Sequence, residues 1–557
     1  MEMFIYQCEG DDQLRFSLAF EVDEYAWRNR GRLVKPIFQT RSIAKAFWYV
    51  KRNQPDTYTS LTYSRPIWKC GQQIGQVEQI YHLCEGRALL LSEIKQCLRQ
   101  NKIGISDTRL LQILQILYLE GRLFIQPSVE WDDAVTDWCC NRCNAGIQHL
   151  QQVTCLRCDE HCVMCQHCHL LGKSCSCEPL LLFRSSVVPM VRRRRKVMLA
   201  SIFYTPWQQR AIEKLEYFMQ SVYQRLLLWA VTGAGKTEVV VPIIQKVLQQ
   251  GKRVLWVTPR KDVVLELIPR LRQIFYQERL IGMYGGSREN WIKADFVVAT
   301  VHQAMRFHQF FDLVIVDEVD AFPLYRNRML DSGLRRSLHP RAKEIYLTAT
   351  PPAEWKSLLK QRLLQVVMLP VRYHGKPLPV PRIIYEWSLS RKLVKQKDIP
   401  AITSFVRQVQ RTYGQAFIFV PRIRDVELVC RWLRIQHPEL KNRIAGVHAR
   451  CAERSRMVEL FRQQKLDFLV TTTILERGVT VPTAHVLVLF AEHSVFERAT
   501  LVQIAGRVGR AAHYQQGQVI FLTSQRTEAQ VQAIQECKRL NIFGKKEGFS
   551  EREAYCQ

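Results

Sequence analysis

From about residue 204 the chain alternates short apolar runs with amphipathic stretches of helix length. LLLWAV (226–231), RVLWVTP (253–259), DFVVAT (295–300), LVIVDE (313–318) and IYLTAT (345–350) come first, and AFIFVPR, IAGVHA, FLVTTT, HVLVLF and QVIFLT follow between 416 and 523. Runs that are apolar throughout predict strands buried on both faces, and helical stretches between them predict βαβ units around a parallel sheet. The rhythm breaks over 366–398, around the proline-rich PVRYHGKPLPVPR. The pattern therefore predicts an α/β protein with two parallel-sheet lobes, 204–385 and 395–545, and a tail at 546–557. Upstream, 92–98 and 108–120 have helical apolar spacing (Leu110, Leu111, Ile113, Leu114, Leu117), and GRLFIQPSV alternates as a short strand pair. That order suggests a winged-helix-like unit at 88–131 within a small N-terminal domain, 1–135. A cysteine-rich module (137–180) and a basic linker (181–203, with Arg192–Lys196) complete the order.

Charge changes the picture next. The 557 residues carry a formal net charge of +29. An excess this large points to a polyanionic partner, and the linker's basic run suits phosphate contact. No apolar run approaches the roughly 18 residues of a membrane span. The start, MEMFIYQCEGDDQLRFS, lacks a basic region followed by an apolar stretch, so a secretory signal is not expected. These features predict an intracellular protein and leave peripheral membrane contact open.

The chemistry begins with AVTGAGKTE, Ala230–Glu238, directly after a predicted strand. A glycine loop entering a helix near Lys236 makes an anion nest at a helix N-terminus. Gly233, Ala234 and Gly235 would cradle phosphates, Lys236 would reach the β- and γ-phosphates of ATP, and Thr237 would hold Mg²⁺. DLVIVDEVD delivers Asp317 and Glu318 to the carboxyl end of another strand. Asp317 is the expected Mg²⁺ carboxylate and Glu318 the expected general base for the attacking water. In QIAGRVGR, Arg507 and Arg510 are spaced to share one helix face and to meet charge developing on the γ-phosphate.

Ten of the 18 cysteines fall between Cys139 and Cys177. The Cys-x2-Cys units Cys140/Cys143 and Cys155/Cys158 are spaced as metal knuckles for a tetrahedral Zn²⁺. A second zinc would draw on Cys162, Cys165, Cys168 and Cys175, with Cys177, His161, His167 and His169 also in the ligand pool. The knuckles pair in order or nest, and spacing leaves both open. Cys139, adjacent to Cys140, is expected to stand aside.

Residues 204–512 resemble a superfamily 2 helicase or translocase motor. TPWQ (Thr205–Gln208), AVTGAGKT, VTPRKD, GGS, ATVHQ, DEVD, TATP, FVPR, VHA, TTTILERGVTVP and QIAGRVGR occur in the family order. The resemblance implies two RecA-like lobes around an ATP cleft and a nucleic-acid track across both. It implies that Gln208 reads adenine and that Gln503 belongs to the nucleotide site. It places Thr258, Pro259, Arg260, Gly286 and Thr300 on the strand from the first lobe, and Arg422 and Thr472 from the second. Thr348 and Thr350 would link hydrolysis to strand grip. Ala230 stands where relatives usually have glycine, and Gln503 where many have histidine. With the cysteine module ahead of the motor, CNRCNAG and DEVDAFP are similar to the late-competence DNA-uptake ATPases, the ComFA family, over about 137–545. That resemblance implies a cytoplasmic ATPase at the inner face of the membrane, drawing single-stranded DNA through a competence channel. It also implies a phosphoribosyltransferase-like companion protein and leaves a homo-oligomer open. A primosomal or repair helicase that unwinds duplexes is the alternative, and a non-enzymatic zinc and nucleic-acid scaffold the third reading.

Overall fold

The computed structural model describes residues 1–53, 71–133, 136–185, 196–321, 324, 327–352, 354–361, 363–475, 481–511, 514 and 517–545. Arg192–Arg195 of the basic run, Phe322 and Pro323 of DEVDAFP, Glu476–Thr480 of the TTTILERGVTVP motif, and the 546–557 tail lie outside them. The chain divides into two compact units. One comprises Met1–Leu199, Lys246–Ile315 and Ala321–Lys343; the other comprises Ala200–Gln245, Val316–Asp320 and Glu344–Gln557.

All ten strands read from the apolar runs are present. The first large sheet has the order Leu280–Met283, Phe296–Thr300, Val254–Thr258, Phe311–Asp317, Leu338–Thr348, Arg225–Ala230, Gln365–Leu369. The second has the order Arg382–Tyr385, Val519–Thr523, Ala484–Leu489, Gln415–Phe419, Phe468–Thr471, Ile444–Val447. The registered pairs are parallel, with Trp229 opposite Thr348, Thr258 opposite Thr300 and Phe419 opposite Thr471. Such strands need apolar cover on both faces, and in the second sheet two separate buried clusters supply it. The helix Pro400–Arg411 shows how: Ile402, Phe405, Val406 and Val409 form one buried stripe at helical spacing.

Three strands in these sheets escaped the sequence reading. Leu280–Met283 is short. Gln365–Leu369 runs into the stretch read as a break, yet pairs in parallel with Arg225–Ala230. Arg382–Tyr385, read as the end of the first lobe, pairs instead with Val519–Thr523 of the second sheet. The connecting segment is thus 370–381, where four prolines lack the N–H a ladder requires.

In the first unit, Met3–Cys8 lies between Leu14–Ser17 and Val34–Thr40 in an antiparallel sheet. The expected helices appear as Leu91–Gln100 and Asp107–Leu119; of the expected strand pair, Leu123–Pro127 and Val129–Asp132 form but belong to different sheets, the second pairing with Asp137–Cys140. Leu123–Pro127 and Ala88–Leu90 both flank Pro179–Phe183 in a three-stranded antiparallel sheet. The strand that completes this sheet therefore arrives from beyond the cysteine module, which is inserted into it. The module itself is the hairpin Leu150–Cys155/Glu160–Cys165 with flanking turns. No described helix is long and apolar enough to cross a membrane.

Candidate active site and metal centres

The phosphate loop follows the strand Arg225–Ala230 and enters the helix Lys236–Gln249. Gly233 and Gly235 have φ of +81° and +82°, a region that strongly favours glycine. A Cβ built on Gly235 would collide with the Gln208 carboxamide. Thr205 caps the helix Pro206–Gln220 by accepting from Gln208 N at 3.3 Å, while Gln208 Oε1 accepts from Thr205 N at 2.9 Å. Gln208 Nε2 then donates to Ala234 O at 3.0 Å. This capping box fixes Gln208 against the phosphate loop, with its carboxamide engaged by backbone at both ends.

Lys236 Nζ lies 3.7 Å from Asp317 Oδ1. The cation and the carboxylate expected to share a Mg²⁺–triphosphate thus face each other, at the end of a buried strand and the start of a helix. Asp317 Oδ1 also accepts from Glu318 N at 2.9 Å, and Glu318 takes the left-handed conformation at φ +55°. A non-glycine residue held there costs about 1 kcal/mol or more, and such strain concentrates at functional turns. The nest, the lysine and the carboxylate fit ATP with Mg²⁺.

The last residue of DEVD has a role that sequence reasoning missed. Asp320 accepts from Thr348 Oγ1 at 2.6 Å and from Thr350 Oγ1 at 2.5 Å. Thr350 N donates to Thr348 Oγ1 at 2.9 Å, and Gln503 Nε2 donates to Thr350 Oγ1 at 3.2 Å. A continuous polar chain therefore runs from the carboxylate strand through both TATP threonines to QIAGRVGR. The spacing D-x2-D hinted at a second functional carboxylate, but its partners are a tertiary matter.

The arginine pair is arranged differently from expectation. Its helix, Arg498–Ala505, ends before Gly506, so Arg507 and Arg510 lie in the following turn and not on a helix face. Arg507 is 1% exposed and its guanidinium sits over the Phe417 ring, 5.1 Å from the centroid. Arg510 is part-buried, and its Nε donates to Gly506 O at 3.3 Å. The flanking glycines explain the turn: Gly509 has φ +67°, and a Cβ on Gly506 would collide with the Thr232 side chain of the phosphate loop.

The expected strand contacts gather at carboxyl edges. Thr258 and Thr300 end paired neighbouring strands; Pro259 and Arg260 lead into the helix Lys261–Ile274; Gly286, at φ +86°, follows Leu280–Met283. Thr258 is completely buried, so its side chain does not reach the surface, and the edge offers Arg260 and the following helix N-terminus instead. In the second sheet, Arg422 directly precedes Ile423–Gln436 and Thr472 directly follows Phe468–Thr471, both at the carboxyl edge.

The cysteines correct the expected pairing. The structure assembles Cys140, Cys143, Cys165 and Cys168 in one group and Cys155, Cys158, Cys162 and Cys177 in another, with the Sγ atoms of each within 4.8 Å of one another. The two leading knuckles do not pair with each other. The hairpin is the reason: Cys155 sits at its tip opposite Glu160, and Cys165 sits at its base opposite Leu150. Cys175, expected as a ligand, lies 3.5 Å from Cys177 but outside the foursome. Nothing in the C-x-C spacing favoured one over the other.

Both groups fit Zn²⁺. Four sulfurs at about 2.3 Å from a tetrahedral zinc stand about 3.8 Å apart. The Sγ pairs Cys140–Cys168, Cys143–Cys165, Cys155–Cys177 and Cys158–Cys162 stand at 3.9, 3.5, 3.6 and 3.2 Å. The first group is also ringed by buried arginines. Arg142 Nη2 donates to both oxygens of Glu93 at 2.8 Å, and Arg306 Nε donates to Glu93 Oε1 at 3.0 Å. Arg336 donates to the knuckle carbonyls of Asn141 (2.9 Å) and Arg142 (2.8 Å) and to Met305 O (3.0 Å). Arg142 Nε and Nη1 and Arg336 Nε are buried without hydrogen-bond partners among the described residues. Burial pulls the Arg336 ionisation down to about 10, and the charges of Cys140, Cys143 and Cys168 oppose that fall. Three buried guanidinium groups against one carboxylate match the net negative charge of four thiolates on a divalent ion.

A phosphate nest, a lysine–carboxylate pair and a polar chain between motifs, on two parallel-sheet lobes, define a helicase-type ATPase motor. Family models agree: residues 202–353 match the type III restriction enzyme res subunit, 398–512 the helicase conserved C-terminal domain, and 73–182 the competence protein ComFA N-terminal domain. These helicase domains imply nucleic-acid-dependent ATPase activity with ATP and Mg²⁺. The chain is 39% identical over 323 residues to competence protein ComFA of Bacillus subtilis (strain 168), covering 58% of this chain and 69% of that protein. It is 35% identical over 379 residues to competence protein ComFA of Streptococcus pneumoniae (strain ATCC BAA-255 / R6), covering 68% and 85%. Among solved structures it is similar to the Mycobacterium smegmatis helicase Lhr bound to ssDNA and AMP-PNP (19% identical, TM-score 0.47, 62% of this chain and 49% of that one). The chain belongs to the competence protein ComFA family. The N-terminal match reaches back to residue 73, well ahead of the cysteine module where the sequence resemblance began.

Proposed function

We propose that this protein hydrolyses ATP to move along single-stranded DNA and so draws transforming DNA into the cell. The observation that carries the reading is the polar chain Asp320–Thr348/Thr350–Gln503 beside the Lys236–Asp317 pair. It ties the nucleotide carboxylates to the motif of the second lobe, which is what coupling hydrolysis to motion requires. In the site, Lys236 and the loop N–H groups would bind phosphates, Thr237 and Asp317 would hold Mg²⁺, Glu318 would take the proton of the attacking water, and Arg510 would face charge developing on the γ-phosphate. When bound, Mg²⁺ offsets phosphate charge. Arg507 supports the arginine turn from its place over Phe417.

The net charge of +29 and the carboxyl-edge loops support phosphate-backbone binding with little sequence preference. A place at the inner face of the membrane, a membrane channel and a phosphoribosyltransferase-like companion belong to the same reading through the family. Each zinc centre, with four ligands and no open position, serves structure.

Measuring ATPase with single-stranded DNA, duplex DNA and RNA in parallel tests the proposal. Single-stranded DNA should stimulate most, and equal stimulation by all three would remove the DNA-motor reading. A forked-duplex strand-displacement assay separates a translocase from an unwinding helicase. Affinity for single strands should fall about 100-fold between about 50 and 200 mM salt if about five phosphates are neutralised. Glu318→Gln should lower turnover by about 100-fold while ATP stays bound. Turnover near wild type would assign the base elsewhere.

A further inference from the structure

The segment joining the two sheets holds a buried cation that the hydrolysis scheme above leaves unused. Arg372 is 3% exposed. Its Nε donates to Thr232 O at 3.2 Å, its Nη1 to Val508 O at 2.9 Å and Gly509 O at 2.7 Å, and its Nη2 to Gly506 O at 3.2 Å. Its hydrogen-bond partners among the described residues are all backbone carbonyls. Thr232 belongs to the phosphate loop; the other three belong to the turn that presents Arg507 and Arg510. One guanidinium thus clasps the two loops that a triphosphate would have to meet. His374 Nε2 adds a contact to Gly509 O at 3.0 Å.

The surroundings are built for this clasp. Gly506 has no room for a Cβ against Thr232, and a Cβ on Gly509 would stand 3.1 Å from Arg372 Nη1. Burial, followed by the nearby Arg510 charge, draws the Arg372 ionisation down to about 10, so it remains a cation at neutral pH. A buried cation held only by carbonyl dipoles is costly to desolvate. Lysine carries its donors on a single nitrogen, whereas the planar fork of arginine spans carbonyls on two separate segments.

We propose that Arg372 is a positioning residue for ATP hydrolysis, holding the Gly506–Arg510 turn against the phosphate loop so that Arg510 is aimed at the γ-phosphate. The proposal rests on the nucleotide site proposed above. Arg372 acts through the backbone of the arginine turn and not by touching the reacting atoms. Its loss therefore falls on the chemical step, where preorganised charge matters most, and spares nucleotide binding.

The test is steady-state hydrolysis by the full-length protein with Mg-ATP and oligo-dT. Arg372→Lys is expected to lower kcat about tenfold or more, since it keeps the charge but loses charge-assisted hydrogen bonds, while KM for ATP stays within about twofold. Gly506→Ala, which drives the turn off the phosphate loop, should show the same split. Adding Thr232→Gly, which removes the colliding side chain, should restore part of the loss. A kcat within about twofold of wild type in Arg372→Lys, or a drop in melting temperature with kcat per folded molecule unchanged, overturns the proposal. If Arg372→Lys does not fold, Gly506→Ala decides: an unchanged kcat overturns the proposal, and a loss rescued by Thr232→Gly supports it. Lys236→Ala run alongside separates the two levels. If it retains turnover, the nucleotide site itself is misplaced; if it is inactive while Arg372→Lys is normal, only the clasp fails.

Discussion

Lys236→Ala is expected to lower DNA-stimulated ATP hydrolysis by about 1000-fold or more, leaving single-stranded DNA binding within about twofold. Lys236 is the first residue of its helix, and its ammonium lies 3.7 Å from Asp317. In the proposed site it is the cation within the phosphate nest, so its removal takes a positive charge away from the γ-phosphate. At 3.7 Å the pair with Asp317 is long, and Lys236 keeps part of its solvent contact, so its contribution to folding is modest. The melting temperature should therefore barely move, and alanine suits the first turn of a helix. DNA binding survives because the expected strand contacts, Arg260 and Arg422, sit at the carboxyl edges outside the phosphate loop. Hydrolysis within about tenfold of wild type would mean that Lys236 does not bind the γ-phosphate and that the loop holds something else.

What the sequence made legible and what it hid follow a physical division. Strands such as Val254–Thr258 and Gln415–Phe419 were readable because burial on both faces demands unbroken apolar runs. Lys236 and Asp317 were readable because their chemistry lies in their own side chains, next to a strand end. Arg372 was not, since its partners are carbonyl oxygens, which every residue carries. Arg507 was misplaced for a related reason. A spacing of three suggests one helix face, but Gly506 ends the helix and the guanidinium turns to Phe417. The choice of Cys177 over Cys175 depends on where a strand returns to the hairpin, which local spacing does not encode. Pro179–Phe183 completes a sheet whose other strands lie ahead of the module, a long-range pairing with no local signature.

The cysteine geometry makes the second large prediction. The purified protein should hold two zinc equivalents, one for each foursome. Cys140→Ser and Cys177→Ser should each lose one, and Cys175→Ser should keep both. Loss of metal from Cys175→Ser together with retention by Cys177→Ser would reverse the assignment. Structural zinc contributes on the order of 10 kcal/mol of folding energy, comparable to the whole stability of an ordinary domain. Chelation should therefore unfold 137–180 rather than loosen it. The consequence reaches further at the first foursome. Without the thiolate charge, Arg142 and Arg306 stay buried sharing Glu93, and Arg336 stays buried on backbone carbonyls. Unpaired buried charge of that kind is strongly destabilising, by about 3–5 kcal/mol for a broken pair. Arg336 also loses the Asn141 and Arg142 carbonyls, which tie the helix Arg328–Ser337 to the knuckle. Hydrogen exchange should accordingly speed up in 137–180 and in 328–337 after chelation, while the second large sheet stays protected. The Cys177→Ser protein discriminates the two centres, because the bonds of Arg336 to the Asn141 and Arg142 carbonyls belong to the first knuckle: its exchange should rise at 150–165 and leave 328–337 unchanged. Equal loosening of 328–337 in both variants would show that the module docks as one rigid block, and that the arginine ring around the first foursome carries no separate load.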